Sequence, residues 1–179
     1  MDTDRTAVSD STGIEVVLDS FDRNSRVNEI ILDTLEEREL DLDDGAGGWN
    51  VRMHLAHLAE FRRDWLSWVA SEFAAGLPQV AEYDQDEGMR LLQGDLHVIR
   101  AALKAGDEAV RAAVINRIES GRSLDGAYGT HPAHFLQHTI VHDSHHRGHL
   151  MGLLRRGGRT PQQMGQLEDA TWSIWNEAS

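Results

Sequence analysis

Seven of the ten histidines lie in the stretch HPAHFLQHTIVHDSHHRGHLMGLLRR, at His131, His134, His138, His142, His145, His146 and His149. Imidazole carries protons near neutral pH and is the commonest metal ligand in proteins. Turned at about 100° per residue, all seven fall in one sector of roughly 120°. Leu136, Ile140, Met151 and Leu154 fall in a separate apolar sector. One helix therefore carries a core face and an imidazole face. Residues four apart stand one turn above each other, so His142 and His146 can grip a single ion. The pairs His134/His138, His138/His142 and His145/His149 have the same spacing, and spacing does not choose among them. Two ligands make a weak site, so a third must come from elsewhere in the chain.

The segment after Trp49 offers that third ligand. Asn50 is a good N-cap. Behind it His54, His57, Leu58, Phe61, Trp65, Trp68 and Val69 share one face of a helix that runs to about Ala75, where Gly76 and Pro78 end it. An imidazole on such an apolar face needs a polar partner or a metal. Either His54 or His57 can reach the last helix across a bundle, and spacing favours neither.

The elements that must position these residues are helical. From Gly13 to about Leu40, Ile14, Val17, Leu18, Phe21, Val27 and Ile31 recur at helical spacing. The Gly45, Gly47 and Gly48 cluster breaks the pattern as a loop. A third helix is expected over Asp84 to Ala105, with Met89, Leu92, Leu96, Ile99 and Leu103 inward and Gly106 as its stop. A short helix follows over Asp107 to Ile118, and ESGRSLDGAYGT reads as a loop over one end of the bundle. Thr130 caps the His-rich helix, Gly157-Gly158 closes it, and the tail from Thr160 to Ala178 is a short helix. No strand signal stands out. The expected architecture is all-α: a four-helix bundle with a short C-terminal helical tail. Residues 1–12 are expected to be a flexible leader and 13–179 a single domain. The first two helices are expected to be briefly linked and close to antiparallel.

Composition excludes several classes. A formal net charge of −13 from 17 Lys plus Arg and 30 Asp plus Glu argues against nucleic acid, which needs a basic patch. With no cysteine there is no disulfide, no thiolate ligand and no cysteine nucleophile, so any thiol must arrive with a substrate or cosubstrate. The acidic MDTDRTAVSD start lacks the apolar region of a signal peptide. No apolar run approaches the roughly 18 residues of a membrane span. A cytoplasmic, bacterial protein is expected.

HLAE after a tryptophan, followed far downstream by HDSHHRGHLMGLLRR, resembles the DinB/YfiT family of metal-binding four-helix bundles. The likeness covers roughly residues 14 to 157. In that family a Trp and a small polar cap open the second helix, here Trp49 and Asn50, and the metal histidine follows two turns later, at His57. The family's last-helix motif H-x-x-x-H-R-G-Q falls on His142, His146, Arg147 and Gly148, with His149 in place of its Gln. The resemblance thus implies a site of three histidines, His57, His142 and His146, on one divalent transition metal, Zn²⁺ or Ni²⁺, with coordination positions left open for chemistry. His54, His138, His145 and His149 are then candidates to orient the ligands or carry protons, and Glu60 is a weak candidate base. Arg147 is expected to pair with an acidic residue on a neighbouring helix, and Gly148 to permit close helix packing. Trp65, Trp68, Trp172 and Trp175 are expected in the core or a dimer interface, or else as walls of a substrate cleft. The family includes thiol-dependent S-transferases using low-molecular-weight thiols such as mycothiol or bacillithiol, and metal-dependent hydrolases. The expectation is a small-molecule S-transferase. Hydrolysis by a metal-activated water, or stress-induced metal binding without turnover, are the alternatives. Members often pair, so a homodimer is also an expectation.

Overall fold

The computed structural model describes residues 10–84, 86 and 88–177. In chain order it contains α1 (Asp10–Thr34), a 3-10 turn (Glu37–Glu39), α2 (Val51–Val69), α3 (Ser71–Ala74), β1 (Ala81–Asp84), β2 (Gly88–Leu91), α4 (Leu96–Glu119), α5 (Ala133–Arg156) and α6 (Pro161–Asn176). The fold is an all-α helical bundle, with one two-stranded hairpin as its only sheet among the described residues. Most of the expected leader lies outside the described residues, and α1 begins within it at Asp10.

The helices pack in a ring. α2 packs on α4 and α5, while α1 packs on α5, on α6 and less extensively on α4. The first two long helices therefore occupy diagonal corners rather than adjacent ones. Their link must cross the end of the bundle, and the 3-10 turn carries it there. Leu40 is fully buried, and the Val51 and Arg52 amides donate to the Leu42 and Leu40 carbonyls. Asn50 caps α2 as expected, its side chain accepting from the Met53 amide at 2.9 Å. The last helix begins on a capping box between Thr160 and Gln163 with Pro161 in its first turn.

Two expectations fail between α2 and α5. Where one helix was expected from Asp84, the chain makes an antiparallel hairpin pairing Tyr83 with Met89, and α4 starts at Leu96 behind an Asp95 cap. Met89 and Leu92 match helical spacing only by coincidence. Met89 is buried from a strand, and Leu92 is exposed. Gly106 does not stop a helix but sits inside α4. A Cβ there would lie 2.9 Å from Arg62 Cβ, so the missing side chain makes room for the stem of a buried arginine. α4 is continuous through the position because close packing there outweighs the helix cost of glycine.

His131 and Thr130 also lie outside α5, whose N-cap is Pro132. The His131 Nδ1 accepts instead from the Ala133 amide at 3.1 Å.

Candidate metal centre

α2 and α5 face each other near the middle of the bundle and bring three imidazoles together. The ligand atoms of His57, His142 and His146 all lie within 4.8 Å of one another. His57 Nε2 is 2.9 Å from His142 Nε2, and the His57 and His146 ring centroids are 4.5 Å apart. Two imidazole nitrogens bound to one ion at 2.0–2.1 Å stand about 2.9–3.4 Å apart, so this spacing fits a shared metal. Burial lowers the pKa of His57 to about 4 and of His146 to about 3, with the charges of His142 and His54 adding to the effect on both and that of His57 adding to it on His146. Both rings are therefore neutral at pH 7, the state that offers a lone pair to a metal.

Each ring is held from behind. The Tyr83 hydroxyl hydrogen-bonds His57 Nδ1, which leaves Nε2 turned to the cluster. His146 Nδ1 is 3.0 Å from His54 Nδ1. His142 stacks on Phe61 at 3.8 Å between centroids. Its Nδ1 is buried without a hydrogen-bond partner among the described residues, 3.8 Å from Asp143 Oδ1. Trp49 closes one side, 4.9 Å from the His57 ring and stacked on His146 at 6.0 Å. Such partners fix the rotamer and tautomer of the rings they touch.

A buried charge layer lies under α5. The Arg62 guanidinium, fully buried, donates two bonds to Asp143 at 2.9 and 2.6 Å and a third to Asp107 at 2.6 Å. Asn24 and Asn28 on α1 each donate to Asp143 at 2.7 Å and accept from Arg147 at 2.7 and 2.8 Å. Burial pushes the Asp143 pKa up. The Arg62 charge and these hydrogen bonds outweigh it and hold the carboxyl far below the usual range. Asp143 is thus a permanent anion beside His142. Arg147, expected to meet an acid directly, reaches one only through the two amides. Gly148 meets nothing within 4 Å of where its Cβ would be, so it is not a close-packing glycine.

The remaining candidates divide clearly. His54 joins the centre through His146. His138 stands one turn before His142 and is bonded by the Tyr128 hydroxyl at 2.6 Å, with Trp65 edge-on at 5.0 Å. Tyr128 is the one non-glycine with positive φ among the described residues, at 55°, a costly conformation held at this spot. His145 and His149 are exposed on the outer side of α5, and exposed His134 hydrogen-bonds its neighbour Gln137. Glu60 is buried, and its carboxylate accepts from the Val80 and Ala81 amides and from Arg63. It anchors the hairpin that carries Tyr83, and those bonds leave it poorly placed to act as a base. Trp68, Trp172 and Trp175 are exposed rather than in the core.

Sequence reasoning missed Tyr83, Tyr128 and the Arg62–Asp143 pair as parts of the site. Only the pair had a signal. Asp143 projects onto the apolar sector of α5, and a carboxylate there demands a cation from across the bundle.

The family model described as the DinB family matches residues 8–177. The chain belongs to the DinB family. No curated protein and no solved structure matches it. For this DinB bundle, the three-histidine cluster is compatible with a metal site, and no helix among the described residues is long and apolar enough to cross a membrane.

Proposed function

We propose that this DinB protein is a metal-dependent enzyme that binds one divalent transition metal through His57, His142 and His146. In this reading it transfers the sulfur of a low-molecular-weight thiol to a small electrophile. The observation that carries the reading is the three imidazoles converging from two helices, each backed by a different residue. Three protein ligands leave room for an exogenous one, which distinguishes working sites from closed structural ones. Imidazole ligands fit Zn²⁺ or Ni²⁺. Such an ion supplies Lewis acidity and keeps a thiol ionised at neutral pH. The absence of protein cysteine means that no internal thiol competes for it.

The residues of this chain have separate tasks in that reaction. Tyr83 and His54 orient His57 and His146, and the stacked Phe61 orients His142. Trp49 and Phe61 shield them from water. His138, fixed by Tyr128, presents a polar group one turn along α5 beside aromatic walls, where an electrophile can lie. The sulfur bonds to the electrophilic carbon, the leaving group departs with the bonding pair, and the thiol proton passes to solvent.

A hydrolase is the second reading, and one residue favours it. Partial burial first, and the neighbouring Glu60 charge second, raise the Asp64 carboxyl to about 6, and its own charge reaches Tyr83. A carboxyl titrating near neutrality close to the centre is suited to taking a proton from water. The test is Co²⁺-loaded, untagged protein titrated with a free thiol. A shift of the cobalt absorption that vanishes in His142→Ala supports S-transfer. No thiol response, together with ester or amide turnover that Asp64→Asn abolishes, replaces it with hydrolysis.

A further inference from the structure

A second group of metal-ligating side chains lies on the other side of His146 and takes no part in the centre described above. A cavity of about 330 Å³ opens between the start of α2 and the last turns of α5, lined among others by Asp44, His54, His145, His149 and Arg156. His145 and His149 are four apart on α5, with ring centroids 4.7 Å apart. Neither is tied to a partner in the way that His57 and His146 are.

We propose that His145, His149 and Asp44 form a second, weaker site for a divalent transition metal. The His pair supplies two nitrogens from adjacent turns of one helix, the arrangement that suits a shared ion. Asp44 supplies an oxygen. Its Oδ1 is held by the Ala46 and Gly48 amides at 2.9 and 3.1 Å, and these bonds chiefly keep the carboxyl ionised. Its Oδ2 lies against Gly48, where a Cβ would approach to 2.7 Å. Two imidazoles and one carboxylate favour ions such as Zn²⁺, Ni²⁺ or Co²⁺ over Mg²⁺ or Ca²⁺.

His54 forms the wall of this site and is not one of its ligands. It stacks on His149 at 5.2 Å and 12°, and its Nδ1 meets His146 Nδ1. One of two facing nitrogens must carry the proton. When His146 binds an ion through its other nitrogen, it donates from Nδ1, and the His54 proton then sits on Nε2. His54 therefore has no free lone pair to offer. Arg156 is the cationic group of the lining and faces Asp44, so a bound ion competes with it. Only the inner trio has its ligand atoms within 4.8 Å among the described residues, so the outer site closes by rotation of His145 and His149. Lacking the backing that the inner rings have, it should bind about 10–100-fold more weakly.

The test is equilibrium dialysis of metal-stripped, untagged full-length protein against Co²⁺, counting equivalents per chain. Wild type should take up two equivalents in two steps. His145→Ala/His149→Ala should lose the weaker step and keep the tighter, and Asp44→Asn should weaken only the second. His142→Ala should do the reverse, losing the tighter step alone, and His134→Ala should change neither. The substituted outer residues are exposed, and circular dichroism confirms folding. A second step that survives the double variant or disappears in His134→Ala overturns the outer site. The variants assign a single step: one that His142→Ala abolishes is the inner centre and overturns the outer site, whereas one that survives His142→Ala and disappears in His145→Ala/His149→Ala overturns the inner centre and supports the outer site.

Discussion

On α5, His142 and His146 face α2, while His145 and His149 face the Asp44 loop and solvent. The residue type is the same and the neighbours in sequence are immediate. What differs is the layer behind each ring. The inner rings are backed by His54, by a stacked Phe61 and by a carboxylate that Arg62 keeps ionised, and His57 opposite them is held by Tyr83. The outer rings are backed mainly by each other and by a stack on His54. A histidine-rich helix is thus divided into a fixed half and a loose half by residues that lie mostly on other elements.

The sharpest way to break that division is to remove its foundation. Arg62→Met leaves Asp143 and Asp107 buried without their cation and should cost about 3–5 kcal/mol in urea unfolding. Arg155→Ala, which disrupts an exposed pair with Glu168, should cost no more than about 1 kcal/mol. Equal losses would show that the charge layer is not what holds the inner half. Next in size, Tyr83→Phe or His54→Ala should lower affinity for the tight metal about 10–100-fold, read by chelator competition, with the fold intact. Unchanged affinity in both variants would mean that the rings hold their geometry unaided.

The metal-free protein should also respond to pH in a set direction. His54 and His57 are lowered to about 4 and His146 to about 3, chiefly by burial, against 6.5 when unfolded. Between those values the unfolded chain binds more protons than the folded one, so stability rises with pH. Unfolding midpoints should therefore fall as pH drops from about 6.5 toward 4. A flat profile would mean that the inner rings are solvated.

Much of this was legible in the sequence because the signals were local. The core and imidazole sectors of α5, the Asn50 cap and the Gly157 stop all follow from spacing within one helix. The hairpin was not legible, since Met89 and Leu92 happen to satisfy helical spacing and nothing nearby shows that Glu60 will collect two amides from the segment before it. Gly106 misled because a glycine that ends a helix and one that admits an arginine stem look alike in sequence. Tyr83 and Tyr128 reach their histidines only through tertiary folding, and Tyr128 does so in a backbone conformation that a non-glycine residue rarely adopts. Spacing did not choose His57 over His54 and the motif resemblance did; with both helices in place, His57 meets His142 and His146 while His54 meets His146 and His149.

The most direct test of the centre is metal content per chain in untagged protein purified without a nickel column, with His146→Ala alongside. The account predicts about one tightly held equivalent of a divalent transition metal in wild type and none held tightly in the variant. No metal in wild type even after Zn²⁺ or Ni²⁺ is added, or an undiminished tight equivalent in His146→Ala, would contradict it.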